Sequence, residues 1–137
     1  MTALVITAAN VVAGAGSKTL IGKLAETVTQ GQVAYRDPAT KKFGKADSDG
    51  VAALRSAVGI FLTAGSLNQP AVVHTEGPIT IGAALVVGER YFAGETAGGL
   101  IPSADLSAGE YVSYIGTAIS ASVLDVMIHN SGVAVPA

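Results

Sequence analysis

The chain has no cysteine and no tryptophan. Without thiols it has no disulfide framework, no thiolate nucleophile and no thiolate metal site, and its composition carries no mark of redox compartment. Charge is scarce too: Asp, Glu, Lys and Arg make up 13% of 137 residues, against roughly 25% in an ordinary soluble domain. Eight Lys and Arg face ten Asp and Glu, so no cationic excess is present to neutralise phosphates and nucleic acid is set aside as a partner. No stretch reaches the roughly 18 uncharged apolar residues that a membrane-spanning helix needs. Met1–Val12 is apolar but broken by Thr2, Thr7 and Asn10. It lacks a basic start, so it reads poorly as a secretion signal, and synthesis and retention in the cytoplasm are expected.

What is present is apolar and small. Half of the residues are hydrophobic, Gly numbers 17, and mean hydropathy is +0.51 with a formal charge of -2. Disorder requires the opposite composition, and the length suits one domain. Apolar surface in excess of one small core is expected to lie against other subunits.

Short β-branched or aromatic runs bounded by Gly, Pro, Asn or Asp predict strands at Leu4–Thr7, Gln32–Tyr35, Ala57–Leu62, Ala71–His74, Leu85–Val87, Arg90–Ala93, Tyr111–Ile115 and Val123–Ile128. Helix signals are confined to Lys18–Glu26 and Asp49–Ser56. The expected fold is therefore mainly β, a small β-barrel or sandwich with little helix.

Self-comparison finds an ordered repeat. Gly31–Tyr35 aligns with Gly88–Phe92 at an offset of 57, Ala46–Asp47 with Ala104–Asp105 at 58, Val58–Ala64 with Ile115–Ala121 at 57, and Val72–Gly77 with Met127–Gly132 at 55. Two duplicated β-units, about 28–77 and 85–132, are expected to pack about a pseudo-twofold axis as a single β domain spanning 30–137. Residues 1–29 would form an N-terminal arm or added layer. The structural repeat positions are Gly31, Gly59, His74 and Gly77, matched by Gly88, Gly116, His129 and Gly132. Gly59 and Gly116 fall inside central strands, where glycine marks a bulge or a close backbone approach.

No motif brings catalytic chemistry together. Gly14–Thr19 lacks the glycine spacing of a phosphate-binding loop, and no Gly-x-Ser-x-Gly elbow anchors a hydrolase triad. His74 and His129 are candidate metal ligands or proton shuttles by residue type, but their shared place in the repeat favours local backbone hydrogen bonding. Asp37, Asp47, Asp49, Glu95 and Asp105 fall in turn-like stretches, and Lys41, Lys42 and Lys45 read as a solvated loop. No catalytic, metal or cofactor-binding residue is assigned, no cofactor is expected, and the chain is read as a non-enzyme.

The run Val87–Gly94, then Ala97–Pro102, then Gly109–Ser120, together with Gly31–Tyr35 leading through Lys45–Asp47 to Ala57–Leu62, resembles the pattern of tailed-phage head decoration, or capsid cement, proteins and related virion-surface domains. The resemblance covers roughly residues 28–132. It implies a β-rich module, often a homotrimer, on the outer surface of the expanded head, bound to the major capsid protein and reinforcing contacts between its subunits. The arm is then the candidate for strand addition to the capsid, through Thr2, Leu4, Val5, Ile6, Thr7, Val11 and Val12. The alternative is a head-fibre or tail module with receptor or glycan contacts through Tyr91, Tyr111 or Tyr114, followed by a cellular small-molecule-binding β-barrel.

Overall fold

The computed structural model describes residues 4–136. Ten strands form one curled antiparallel sheet, a half-barrel: β1 (Val11–Ala13), β2 (Lys18–Lys23), β3 (Val33–Arg36), β4 (Phe43–Lys45), β5 (Ala57–Phe61), β6 (Pro70–Ile81), β7 (Arg90–Ala93), β8 (Leu100–Pro102), β9 (Tyr111–Ala118) and β10 (Val123–Ala134). The order β4-β3-β5-β6-β10-β9-β7-β8 reads the same from either end when β3–β6 are exchanged for β7–β10. Short 3-10 turns at Ala8–Asn10, Ala52–Arg55 and Ser103–Asp105 are the helical content. The mainly β, barrel-like fold expected from the strand pattern is the fold observed.

The two four-stranded units share register as well as order. Ala34 pairs with Gly59 and Tyr35 with Ala57, across a bulge; Tyr91 pairs with Gly116 and Phe92 with Tyr114, across a bulge at the same step. Every number in the second set exceeds its counterpart by 57. At the entry to each unit the Gly31 amide donates to the Phe61 carbonyl at 2.9 Å and the Gly88 amide to the Ala118 carbonyl at 2.8 Å. Both glycines have positive φ, +91° and +84°, the left-handed backbone that a side chain disfavours. In the strand centres a Cβ on Gly59 would collide with the His74 carbonyl, and one on Gly116 with the Asp125 carbonyl. Glycine there permits the close approach of β6 to β5 and of β10 to β9.

The offset breaks at the last strand. Ile60 pairs with His74, while its counterpart Thr117 pairs with Asp125, an offset of 51. The link from Phe61 to its partner Val73 holds six more residues than the link from Ala118 to Leu124, and the sequence alignment absorbed only two of the six. The tertiary equivalent of His74 is therefore Asp125 and not His129, and Gly77 is likewise not the equivalent of Gly132. Gly77 lies within β6 beneath the chain at Gly16–Ser17; Gly132 is exposed with open space beside its Cα.

The arm is an integral layer. β1 pairs with Ile79–Ile81 and β2 with Pro70–Glu76, so β6 is the hub that also receives β5 and β10. Strand β2 replaces the helix expected over Lys18–Glu26. The apolar spacing of Leu20, Ile21 and Leu24 fits a helical face, but pairing with β6 satisfies the backbone and leaves Leu20 and Ile21 outward. Leu24 and Val28 then enter the interior. At one sheet edge the Ala25 amide donates to the Phe43 carbonyl, and at the other the Leu4 amide donates to the Leu100 carbonyl, both at 2.8 Å. The Gly94–Gly99 loop folds onto the first unit, where the Gly98 amide donates to Ala46 and the Val33 amide to Gly98.

Two apolar clusters result, and they assign the faces unequally. In the first unit Val33, Tyr35, Ala57 and Ile60 meet the main core, while Ala34, Phe43, Val58, Phe61 and Val73 form a second cluster closed by Leu24 and Val28. In the second unit the counterparts of the second set, Tyr91, Leu100, Ile115, Ala118 and Leu124, meet the main core. The units thus turn non-equivalent faces to the main core, while their strand order and the antiparallel β6–β10 pairing stay symmetric. The device is a bulge in β6, where the register with β2 slips between Lys18–Glu76 and Thr19–His74. Ala71 and Val73 before it face the small cluster, and Ile79 and Ile81 after it face the main core. One extra residue in a strand turns every later side chain over.

Candidate interaction surface

The face of the second unit turned away from the main core is only partly open: Phe92 is buried, Val112 and Tyr114 are half-buried, and Met127 and His129 are exposed. Its strands present Arg90 and Phe92 from β7, Val112 and Tyr114 from β9, and Met127 and His129 from β10, which with Ile128 line an open depression of about 650 Å³. Each pair is spaced by two, the period of one strand face. Phe92 and Tyr114 meet edge to face, with centroids 5.7 Å apart and planes at 65°, a geometry that aligns ring edge and ring face favourably. The Tyr114 hydroxyl bonds the Thr117 hydroxyl. Met127 is 64% exposed. Arg90 and His129 line the depression with the Tyr114 phenol, and carboxylates flank it on the same face: Glu76 is the cross-strand partner of Met127, and Asp125 pairs with Thr117, which pairs with Arg90.

Val112 also borders a smaller depression lined by Ala52, Arg55, Tyr111 and Asn130. The Arg55 guanidinium lies 4.1 Å from the centre of the Tyr111 ring and donates from Nε to the Gly50 carbonyl at 2.7 Å. Beyond it runs the loop Asp47–Val51, whose Val51 is 69% exposed. Burial, a hydrogen bond to Asp49 and the charges of Asp49 and Glu95 raise the Asp47 carboxyl to about 6. Ser48, inside the same loop, is buried and donates to Glu110 Oε1 at 2.8 Å; the Ser107 amide donates to Glu110 Oε2. This buried carboxylate ties loops together.

The histidines have separate environments. His74 is fully buried, with Nε2 2.8 Å from the Gly77 carbonyl and no partner for Nδ1. His129 is exposed on the open face. Among the described residues no three of His, Asp and Glu converge as metal ligands.

Of the arm candidates, Thr2 lies outside the described residues. Leu4, Ile6 and Val11 pack part-buried against the main core, and the Thr7 amide donates to the Gly82 carbonyl at 2.8 Å. Val5 and Val12 point outward, 88% and 59% exposed. Among the described residues β1 and β2 pair only with β6. Of the tyrosines considered for glycan contact, Tyr91 is buried and its hydroxyl accepts from the Val86 amide at 3.0 Å, which removes it from any surface role.

The open face was not legible as a site. Its first-unit counterparts, Val33, Tyr35 and Ala57, are core, so the repeat argued for burial; only the polar Arg90 opposite Val33 hinted otherwise. No family model, curated protein or solved structure matches this chain.

Proposed function

We propose that the chain is a structural protein of the tailed-phage virion surface: a head decoration protein that binds the outside of the expanded capsid and stabilises contacts between major capsid protein subunits. One observation carries most of the reading. A chain with little charge builds a frame of short paired strands and turns apolar side chains outward along its N-terminal ribbon, at Val5, Val12 and Ile21. Scattered apolar residues are ordinary on a protein surface, but Val12 of β1 and Ile21 of β2 lie on strands whose pairing among the described residues is to β6 alone, and a free strand edge beside outward apolar side chains suits strand addition and burial against a neighbour. The Gly-spaced blocks that resemble decoration proteins support the same reading. Its self-association as a homotrimer and its location on the outer capsid surface follow from that resemblance.

Cosedimentation of excess protein with emptied mature heads lacking it tests the reading. Saturation at a fixed ratio to the major capsid protein is expected, with loss of affinity when residues 2–12 are deleted. No binding would overturn it, and a handful of copies per particle would favour a fibre or tail module instead.

A further inference from the structure

We propose that Lys41 and Glu89 are stops that keep one copy of this chain from docking on another. Each closes one leftover half of the contact that seats the Gly94–Gly99 loop on the first unit. The inference does not depend on the capsid reading.

Inside the chain, the loop between β7 and β8 reaches the first unit through one residue. The Val33 amide donates to the Gly98 carbonyl at 2.9 Å, and the Gly98 amide donates to the Ala46 carbonyl at 2.7 Å. Val33 opens β3 and Ala46 follows β4, so the seat is the end of a strand pair. Gly98 fits it because it has no side chain: a Cβ there would stand 3.1 Å from Gln32 Cβ and 3.2 Å from Lys45 Cγ.

Both halves of this contact recur in the other unit, 57 residues away. The turn between β3 and β4 has the same closure, Asp37 amide to Lys42 carbonyl at 2.8 Å against Gly94 amide to Gly99 carbonyl at 3.0 Å. It has the same left-handed step, Lys41 at φ +63° against Gly98 at +77°. The seat recurs at Arg90 and Ser103, since Lys45 pairs with Ala34 as Pro102 pairs with Tyr91. A two-way contact would also seat the Asp37–Lys42 turn on Arg90 and Ser103 of the same chain. Among the described residues that turn bonds only within the first unit, the most distant bond running from Lys42 Nζ to Asn68 Oδ1 at 2.5 Å. One turn and one seat are therefore left over, the arrangement through which copies join turn to seat into rings or open chains.

Each leftover half is closed by its own residues. At the seat, the Arg90 amide, counterpart of Val33, donates to Glu89 Oε1 at 2.8 Å, and the Ser103 hydroxyl donates to the same oxygen at 2.9 Å. The Ser103 carbonyl, counterpart of Ala46, accepts from the Leu106 amide at 3.3 Å. Bonds from the Ser103 hydroxyl and then the Arg90 amide hold the Glu89 carboxyl below its ordinary range. The first unit has Gln32 in the place of Glu89, and its Oε1 accepts instead from the Thr29 amide at 3.0 Å, which leaves Val33 open. Val86, the counterpart of Thr29, gives its amide to the Tyr91 hydroxyl at 3.0 Å, a group that Ala34 in the first unit cannot supply. Glu89 is thereby free to turn onto Arg90. At the turn, the Lys41 amide donates back to the Asp37 carbonyl at 2.8 Å, where the Gly98 amide points outward. Lys41 also carries the Cβ that crowds the seat. Folds built from repeats need such closed ends to stay discrete.

A mixing experiment separates the two stops. Lys41→Gly opens the turn and leaves the seat closed, and Glu89→Ala does the reverse. Neither position is buried, and circular dichroism with thermal melting verifies that each variant folds. Sedimentation velocity at high protein concentration suits so small a contact. Each single variant alone is expected to sediment as wild type does. Their equimolar mixture is expected to form a one-to-one pair that grows no further, about tenfold tighter than either variant mixed with wild type. The double variant Lys41→Gly/Glu89→Ala, with both halves open, is expected to grow with concentration beyond that pair. A mixture without a new species would overturn the proposal, as would a double variant that sediments as wild type. Glu89→Ala associating alone as strongly as the double variant would overturn it too, because the turn would then play no part. Every outcome is read as a change from wild type, so the capsid reading stands or falls separately.

Discussion

The side chain of Asn130 behaves as a piece of backbone for Ala57: its Oδ1 accepts from the Ala57 amide at 3.1 Å and its Nδ2 donates to the Ala57 carbonyl at 2.9 Å. Ala57 opens β5 of the first unit and Asn130 belongs to β10 of the second, so one carboxamide spans the seam between them. The Ser113 hydroxyl donates to the same Oδ1. Ala57 is buried, and a buried backbone pair stripped of its partner costs about 1–3 kcal/mol. Asn130→Ala is expected to lower the unfolding free energy by that amount, read as a lower urea midpoint at an unchanged slope. Asn130→Asp, which keeps the acceptor and loses the donor, should also destabilise.

The two central glycines are expected to fail alike. In Gly59→Ala and Gly116→Ala the new methyl meets a backbone carbonyl of the adjoining strand, which cannot rotate away. Overpacking of this kind costs about 1–3 kcal/mol and more where backbone must move. Chemical denaturation of both variants checks it; a neutral Gly116→Ala would mean that β9 and β10 separate easily at that point.

Leu24→Ala probes whether the ribbon belongs to the core. Leu24 is fully buried and packs on the cluster containing Phe61 and Val73; truncation of such a leucine costs about 2–5 kcal/mol. Ile21→Ala, three residues earlier and outward, should change stability by less than about 0.5 kcal/mol. Equal effects at the two positions would contradict the strand assignment of Lys18–Lys23.

Histidine replacements separate two residues that the repeat had equated. His74→Ala removes a buried ring and its bond to the Gly77 carbonyl, and is expected to cost about 2–4 kcal/mol. His129→Ala, on the exposed face, should leave the melting of the isolated monomer unchanged within about 0.5 kcal/mol.

Asp47 imposes a pH dependence of defined sign. Its folded-state pKa of about 6 exceeds the ordinary 3.8, so between those values the native state binds more protons than the unfolded chain and stability falls as pH rises through the window. Asp47→Asn is expected to raise stability at pH 7 and to have little effect below about pH 4. Solvent contact screens the group, which holds the gain under about 1 kcal/mol. Denaturation of both proteins at pH 4 and pH 7 measures it.

Much of the secondary structure follows from local pattern. The runs at Ala57–Leu62, Arg90–Ala93 and Val123–Ile128 are strands, because alternation with β-branched and aromatic residues describes a half-buried pleated surface wherever it occurs. Phe43–Lys45 and Leu100–Pro102, three residues each, gave no such signal; they are strands because β3 and β7 lie beside them. Leu85–Val87 has the composition of a strand and forms none, its amides at Leu85 and Val86 being used by the Ala121 carbonyl and the Tyr91 hydroxyl.

Sequence alone determined the mainly β class, the 57-residue spacing and the glycines at turns and strand centres, since each depends on propensity, φ or a missing Cβ within a few residues. Tertiary structure decided the assignment of faces: which repeat buries Val33 or its counterpart Arg90, why His74 matches Asp125, and why a ribbon with helical spacing pairs as a strand. A single bulged residue in β6 inverts every side chain after it. Its position is set by long-range pairing with β2, which lies some fifty residues away in the chain and leaves no local trace.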